Sequence, residues 1–290
     1  MKLSSLFSQK IPTLSFEVFP PKTSDTYDSV KSAAEKIASL KPDFMSVTYG
    51  AGGGTSEYTA SIAADILNNF NVTPLAHLTC VNSDKKKVES VLSSLKDKKI
   101  ENILALRGDI LSGDENKKRE YKYAASLVED IKKYGDFCVG GACYPEGHPE
   151  DLSLADGIEH LKEKVDAGCD FLTTQMFFDN NILYSFLYKI REAGITVPIV
   201  AGIMPVTNVK QIKRICALSG TYLPQRFKTI VDRFGNNPSA MKQAGIAYAT
   251  EQIIDLLANG VNAIHVYSMN KPDVAAKIQE NLSEIIPKRT

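Results

Sequence analysis

One carboxylate interrupts the apolar run Thr13-Leu-Ser-Phe-Glu-Val-Phe-Pro-Pro-Lys22, which reads as a buried strand stopped by a double proline. Glu17 sits between Phe16 and Val18, with Phe19 one step further on, and an isolated carboxylate in apolar surroundings is expensive to ionise. Its pKa is therefore expected to rise, and a glutamate tuned in that way acts as a general acid at neutral pH. An edge-strand glutamate directed at water is the competing reading. Arg107-Gly-Asp109 places a cation, a small residue and an anion together. Arg107 can bind an anion, Gly108 lets a flat ring or a phosphate approach the backbone, and Asp109 can accept from the N–H groups of a heterocycle. The other reading is a surface turn with an internal ion pair.

Further polar groups carry weaker signals. Tyr144-Pro-Glu-Gly-His148 is a loop whose proline and glycine fix the presentation of Tyr144, Glu146 and His148, for a site or as a rigid solvated turn. Gln175 closes a threonine-rich run ahead of Met176-Phe-Phe178, and its amide can donate and accept at once, as the edge of a pterin or flavin requires. His77 is either a site residue or a core histidine, and His160 and His265 are expected to be structural. No Glu-x-x-His or His-x-His spacing accompanies these groups, so no metal site is expected.

The elements that must position these residues alternate along the chain. Short apolar or β-branched runs predict strands at Thr13–Val18, Phe44–Tyr49, Thr73–Thr79, Asn102–Arg107, Cys138–Tyr144, Phe171–Gln175, Pro198–Gly202 and Ala263–Tyr267. Amphipathic periodicity predicts helices at Tyr27–Leu40, Glu57–Asn69, Lys85–Lys96, Tyr121–Tyr134, Ala155–Ala167, Ile182–Ala193 and Val209–Leu218. Two extra helices, Leu223–Phe234 and Ser239–Leu257, precede the last strand. Strand–helix alternation implies parallel strands, and eight such units predict a single α/β domain over residues 1–290, a (β/α)8 TIM barrel. In that fold the chemistry collects at the C-terminal ends of the strands, where the residues singled out above fall. Gly50-Ala-Gly-Gly-Gly-Thr55 has some likeness to a dinucleotide-binding glycine fingerprint, but Thr55 takes the third glycine and no acidic residue ends the next strand. A loop over the barrel mouth is expected there.

Thirty-four basic and thirty-four acidic residues cancel, so neither nucleic acid nor an anionic membrane surface is an expected partner. The first apolar segment is too short for a signal peptide and no segment is apolar for long enough to cross a bilayer, which leads to a cytoplasmic expectation. Five scattered cysteines without a Cys-x-x-Cys pair are expected to be reduced and mostly buried.

Ser15-Phe-Glu-Val-Phe-Pro-Pro-Lys22, Ser46-Val-Thr-Tyr-Gly50, His77-Leu-Thr-Cys80, Ala105-Leu-Arg-Gly-Asp109, Tyr144-Pro-Glu-Gly-His-Pro-Glu150, Lys164-Val-Asp-Ala-Gly168, Gln175-Met-Phe-Phe-Asp179 and Gly202-Ile-Met-Pro-Val-Thr-Asn208 occur in that order. Together they closely resemble the motifs of the 5,10-methylenetetrahydrofolate reductase family. The likeness runs from about Ser15 to Lys271 and is to the bacterial type, the catalytic domain alone.

The resemblance implies an FAD-dependent barrel enzyme that takes a hydride from NAD(P)H by a ping-pong relay and reduces methylenetetrahydrofolate to methyltetrahydrofolate, serving methionine synthesis. It implies Glu17 as the acid that protonates the folate N10, Asp109 as the anion that contacts the pterin and stabilises the resulting cation, and Gln175 as a substrate contact. Lys271 stands where an arginine often lies near the folate tail. Thr48, His77, Arg107, Gly108, Asp109, Tyr123, Ala124, Tyr144, His148 and Lys164 fall where the family touches FAD. Gly157 and His160 replace an Asp and an Asn of the family, and Asp156 is the carboxylate expected in compensation. Val209 stands where a phenylalanine often stacks on the bound nucleotide or folate, which motivates an alternative: a flavin- and folate-binding subunit reduced by an electron-donor protein. The family resemblance also implies a homo-oligomer.

Overall fold

Alternation of period two decides which way each strand residue points, and the computed structural model shows its result. It describes residues 1–21, 23–49, 56–110 and 119–287. Eight parallel strands close into a barrel in sequence order, β1 (Thr13–Val18), β2 (Phe44–Val47), β3 (Thr73–Thr79), β4 (Asn102–Leu106), β5 (Cys138–Cys143), β6 (Phe171–Thr174), β7 (Ile199–Ile203) and β8 (Ala263–Tyr267). The helices are α1 (Leu3–Phe7), α2 (Tyr27–Ala38), α3 (Ser56–Phe70), α4 (Lys85–Asp97), α5 (Ala124–Tyr134), α6 (Leu154–Asp166), α7 (Asn180–Glu192), α8 (Val209–Ser219), α9 (Gln225–Phe234), α10 (Pro238–Ala258) and α11 (Pro272–Asn281). The expected barrel is the observed one, and α9 and α10 are the two extra helices before the last strand.

The strands are buried on both faces, as a sheet wrapped by helices must be. Leu14, Phe16 and Val18 of β1 belong to the large apolar layer between barrel and helices, together with Met45, Val47, Ala76, Leu78 and Ile264. The alternate residues point into the barrel. At its floor Phe44, Leu75, Leu104, Cys138, Phe171, Val200 and Ala263 pack against Leu3, Leu6 and Phe7 of α1, which plugs the N-terminal end. Gly140 makes room for this layer, since a Cβ there would meet the Phe171 ring at 2.4 Å. Above the floor the inward positions become polar, because Ser15 is level with His265, and Glu17 with Ser46 and Tyr267.

Four strands end earlier than expected. β2, β4, β5 and β6 stop before Thr48, Arg107, Tyr144 and Gln175, so these residues leave the ladder at the barrel mouth. β7 runs one residue later than expected, since Pro198 has no N–H to give the ladder, although its carbonyl accepts from Leu172 N at 2.9 Å. Helix α5 begins at Ala124, three residues after the expected Tyr121, whose ring is buried and whose hydroxyl donates to Asp130 at 2.9 Å. The Gly50–Thr55 loop lies outside the described residues.

Candidate active site

A cleft of about 480 Å³ opens at the C-terminal ends of β2 to β5, floored by strand tips and walled by α5 and α6. That volume falls in the range usual for small-molecule and cofactor sites. Thr48, His77, Arg107, Gly108, Asp109, Tyr123, Ala124, Tyr144, His148 and Lys164 all line it, as does Glu150. Ten residues singled out in the sequence for a cofactor are thus brought to one place.

Local structure explains their positions. Gly108 has φ +83°, a left-handed conformation that turns the chain after β4 between Arg107 and Asp109, which both line the cleft. The Arg107 guanidinium forms a two-pronged ion pair with Glu150, at 2.5 and 2.8 Å, and that hydrogen bonding raises its pKa further. Lys164 reaches up from α6, donates from Nζ to the Ala142 carbonyl at 2.7 Å, and has its pKa lowered by burial. Burial likewise pushes the Tyr144 hydroxyl up to about 12, so it remains a neutral donor. Tyr144 and His148 meet edge to face with centroids 4.6 Å apart.

Asp156 does not join them. Its carboxylate accepts from Ser153 Oγ at 2.8 Å and its N–H donates back to the Ser153 hydroxyl, which caps α6, so Asp156 is tied to the helix start and is not among the residues lining the cleft. The acid next to Gly157 that does line the cleft is Asp151. A Cβ on Gly157 would fall 2.6 Å from Asp151 Oδ2, so the bare backbone at Gly157 is what admits that carboxylate. Asp151 Oδ1 lies 3.3 Å from His160 Nδ1, and the His160 ring stacks on Tyr123 at 5.9 Å. His160, expected to be structural, is therefore part of the cleft wall.

Glu17, Gln175 and Lys271 occupy the opposite arc of the mouth, on β1, after β6 and after β8, and do not line this cleft. Lys271 Nζ donates to Thr207 Oγ1 at 2.5 Å, and burial lowers its pKa. Gln175 accepts from Met176 N at 3.0 Å through its side-chain oxygen. Tyr267 spans the same arc, its hydroxyl donating to the Thr174 carbonyl at 2.5 Å, which is sterically open because Gly202 has no Cβ.

Glu17 points inward and is only 19% exposed, which removes the reading of a water-facing edge residue. Its surroundings, however, are not apolar. Ser46 Oγ donates to Oε2 at 3.3 Å, His77 Nε2 lies at 3.5 Å and His265 Nε2 at 3.8 Å. Burial raises the pKa, but hydrogen bonding to His265, the proximity of both imidazoles and the Ser46 hydroxyl outweigh it, and the net direction is down. The expected upward shift is thus corrected: Phe16 and Val18 face the helices, and the side chains that share the interior with Glu17 are polar. His265, expected to be structural, is one of them. His77 itself is pushed down to about 4 by burial, so it is neutral at pH 7.

His77 is common to both arcs. It lines the cleft and faces Glu17, and its Nε2 is buried with no hydrogen-bond partner among the described residues. A buried ring nitrogen in that state is free to meet a polar group entering the cleft. Among the described residues no group of three or more His, Cys, Asp or Glu could hold a metal ion, and no helix is long and apolar enough to cross a membrane.

Known proteins resemble this sequence. The family model described as methylenetetrahydrofolate reductase matches residues 2–283. "5,10-methylenetetrahydrofolate reductase" of Pectobacterium carotovorum subsp. carotovorum is 36% identical over 269 residues, covering 93% of this chain and 89% of the relative. "Methylenetetrahydrofolate reductase (NADH) 1" of Arabidopsis thaliana is 36% identical over 299 residues, covering 98% of this chain and 50% of the relative, so the chain spans about half the length of that plant protein. A solved structure titled as an uncharacterized protein from Clostridium thermocellum that binds two copies of 5-methyl-5,6,7,8-tetrahydrofolic acid superposes with a TM-score of 0.65 at 13% identity, over 98% of this chain and 100% of that one, a likeness of fold.

Proposed function

Because the chain belongs to the methylenetetrahydrofolate reductase family, we propose that it reduces 5,10-methylenetetrahydrofolate to 5-methyltetrahydrofolate, with FAD as hydride carrier and NAD(P)H as electron source. The observation that carries this reading is the placement of Glu17 inside the barrel mouth, beside His77, which is also a wall of the cleft. An acid is thereby set next to a cofactor-sized site on a shared boundary.

The cleft fits a flavin dinucleotide on its own chemistry. Arg107 and Lys164 supply cations for phosphate oxygens, Gly108 and Gly157 leave backbone free for close approach, and the unpartnered His77 Nε2 offers a polar contact at the barrel centre. Thr48, Tyr123, Ala124, Tyr144 and His148 complete the walls, with Asp151 and His160 in place of Asp156. FAD, when bound, would accept a hydride from the nicotinamide and pass it to the one-carbon unit.

The chain's own residues do the rest. The folate methylene accepts a hydride poorly until N10 leaves, and Glu17 supplies the proton that releases it. Asp109, at the cleft edge, places a negative charge toward the pterin, where it favours the cation formed. Gln175 orients the pterin through its amide, and the Lys271 ammonium attracts the carboxylates of the tail.

The test is anaerobic. The purified protein is expected to be yellow, to be bleached by a reduced nicotinamide, and to recover colour when methylenetetrahydrofolate is added. NADH is the donor to try first, since the Arabidopsis relative carries it in its name. A colourless protein that takes up no FAD contradicts the proposal, and a flavin bleached only by a protein donor supports the alternative electron source.

A further inference from the structure

The pairing of β1 with β8 ends at Glu17 and Tyr267, so the carboxylate hangs from the last rung of that ladder. Backbone groups beyond a last rung have no strand to bond and would leave the tip free to fray. Here side chains take over. Ser268 Oγ donates to the Glu17 carbonyl at 2.6 Å, Asn270 Nδ2 donates to the Phe19 carbonyl at 3.0 Å, and the Phe19 N–H donates to Asn270 Oδ1 at 3.0 Å. An amide that donates to and accepts from the same residue does the work of a neighbouring strand.

The chain beyond could not supply this hold. Pro20 and Pro21 have no N–H, so Phe19 offers the last backbone donor before Lys22. On the opposite side the Thr48 N–H donates to the Val18 carbonyl at 3.0 Å. The backbone from Glu17 to Phe19 is thereby held residue by residue, from β8 on one flank and from β2 on the other.

The turn that delivers Asn270 is strained. Met269 and Asn270 are both left-handed, at φ +54° and +52°, a conformation that costs energy for side chains other than glycine, less for asparagine than for methionine. It is braced at its end: the Lys271 N–H donates to the Ser268 carbonyl at 3.1 Å, and the Lys271 carbonyl accepts from the Val274 and Ala275 N–H groups at the start of α11, at 3.2 and 3.1 Å. Strain of this kind persists where the surroundings over-determine it, and it gathers at functional sites. Its result here is to set the Asn270 amide against β1.

We infer that Ser268 and Asn270 are positioning residues for the reaction, a clamp on the tip of β1 that fixes where the Glu17 carboxyl meets the folate nitrogen. This rests on the proposed function. Ser46, His77 and His265 face the carboxyl itself, whereas the clamp acts on the backbone that carries it. Neither clamp residue lines the cofactor cleft, Ser268 is buried at 1% exposure, and both ends of the Asn270 amide are committed to Phe19. Their effect on the chemistry therefore passes through Glu17.

Stopped-flow measurement of the two half-reactions on the flavin-loaded protein tests the clamp in Asn270→Gly, Ser268→Ala, Glu17→Gln and the double variant of Glu17→Gln with Asn270→Gly. Glycine takes a left-handed φ freely, so Asn270→Gly removes the amide without straining the turn and should melt close to the wild-type temperature. Flavin reduction by NADH is expected to stay within about twofold in Asn270→Gly and Ser268→Ala, because it needs no proton from Glu17. Reoxidation at saturating methylenetetrahydrofolate should slow about tenfold to a hundredfold in each, as a misplaced catalytic group would make it, while the half-saturating folate concentration moves by less than about threefold. Added to Glu17→Gln, Asn270→Gly should cost nothing further, since the acid it positions is gone. An unslowed folate step in Asn270→Gly, or equal further slowing in the double variant, overturns the clamp. A wild-type flavin that folate does not reoxidise removes the proposed reaction and the clamp's part in it together, a result distinct from a working wild type beside an unaffected variant.

Discussion

His77 Nε2 stands 3.5 Å from Glu17 Oε2, both deep in the barrel mouth, and the imidazole makes no hydrogen bond from that nitrogen to any described residue. The pair joins the two arcs of the site: His77 is part of the cleft wall, whereas Glu17 belongs to the arc with Gln175 and Lys271. Burial keeps the imidazole neutral, and hydrogen bonding to His265, with a smaller part from the Ser46 hydroxyl, holds the Glu17 carboxyl below its usual range. A ligand bridging the arcs meets a fixed proton donor or acceptor on each side.

This pair makes stability depend on acid in a definite direction. His77 is neutral in the folded protein down to about pH 4 but takes up a proton near its ordinary value of 6.5 when unfolded, so the unfolded chain binds more protons between those limits. Stability rises with pH across that window and is lost on acidification, by on the order of 3 kcal/mol. Glu17, depressed in the folded state, adds to the loss below about 4.5. Urea denaturation at stepped pH should show a shallower slope between pH 6.5 and 4 in His77→Gln; an unchanged slope would mean that another group sets it.

Gly108→Ala should lower the melting temperature by a few degrees. The residue sits at φ +83°, where an L side chain costs about 1–2 kcal/mol, and the new Cβ would lie 3.0 Å from Thr79 Cβ. Differential scanning calorimetry decides it, and an unshifted transition would show that the turn after β4 relaxes freely.

Lys164→Met keeps the length of the side chain and removes its charge. Flavin affinity is expected to drop at least about tenfold, read by fluorescence titration of the flavin-free protein, because a desolvated cation next to phosphate is worth more than 1 kcal/mol, roughly. The fold should be as stable as before, since a buried ammonium is itself costly. Unchanged affinity would place the phosphates elsewhere.

The barrel was legible in the sequence because strand–helix alternation survives every local ambiguity, and the strand tips pointed to Thr48, His77, Arg107, Asp109, Tyr144 and His148, whereas Tyr123, Ala124 and Lys164, on or next to helices α5 and α6, came only from the family resemblance. Helix α11 (Pro272–Asn281) was not anticipated, and three further features were not legible. Helix α1 is five residues long, too short for a periodicity to show, although it fills the barrel floor. The carboxylate that α6 admits to the cleft is Asp151 and not Asp156, and that depends on the space left by Gly157, which no spacing rule reveals. The pKa of Glu17 was misjudged because its chain neighbours Phe16 and Val18 lie on the far side of the strand, while Ser46, His77 and His265 come from three other strands. The signal that could have found them is the inward alternation of β2 and β8, in which Phe44 and Ala263 are followed two residues later by Ser46 and His265.

Glu17→Gln, measured anaerobically in two steps, bears most directly on the role given to this carboxylate. NADH should bleach the flavin at close to the wild-type rate, while reoxidation by methylenetetrahydrofolate should slow by roughly a hundredfold to ten-thousandfold, the usual share of a general acid. Equal slowing of both steps, or a folate step that survives the loss of the carboxyl proton, would contradict it.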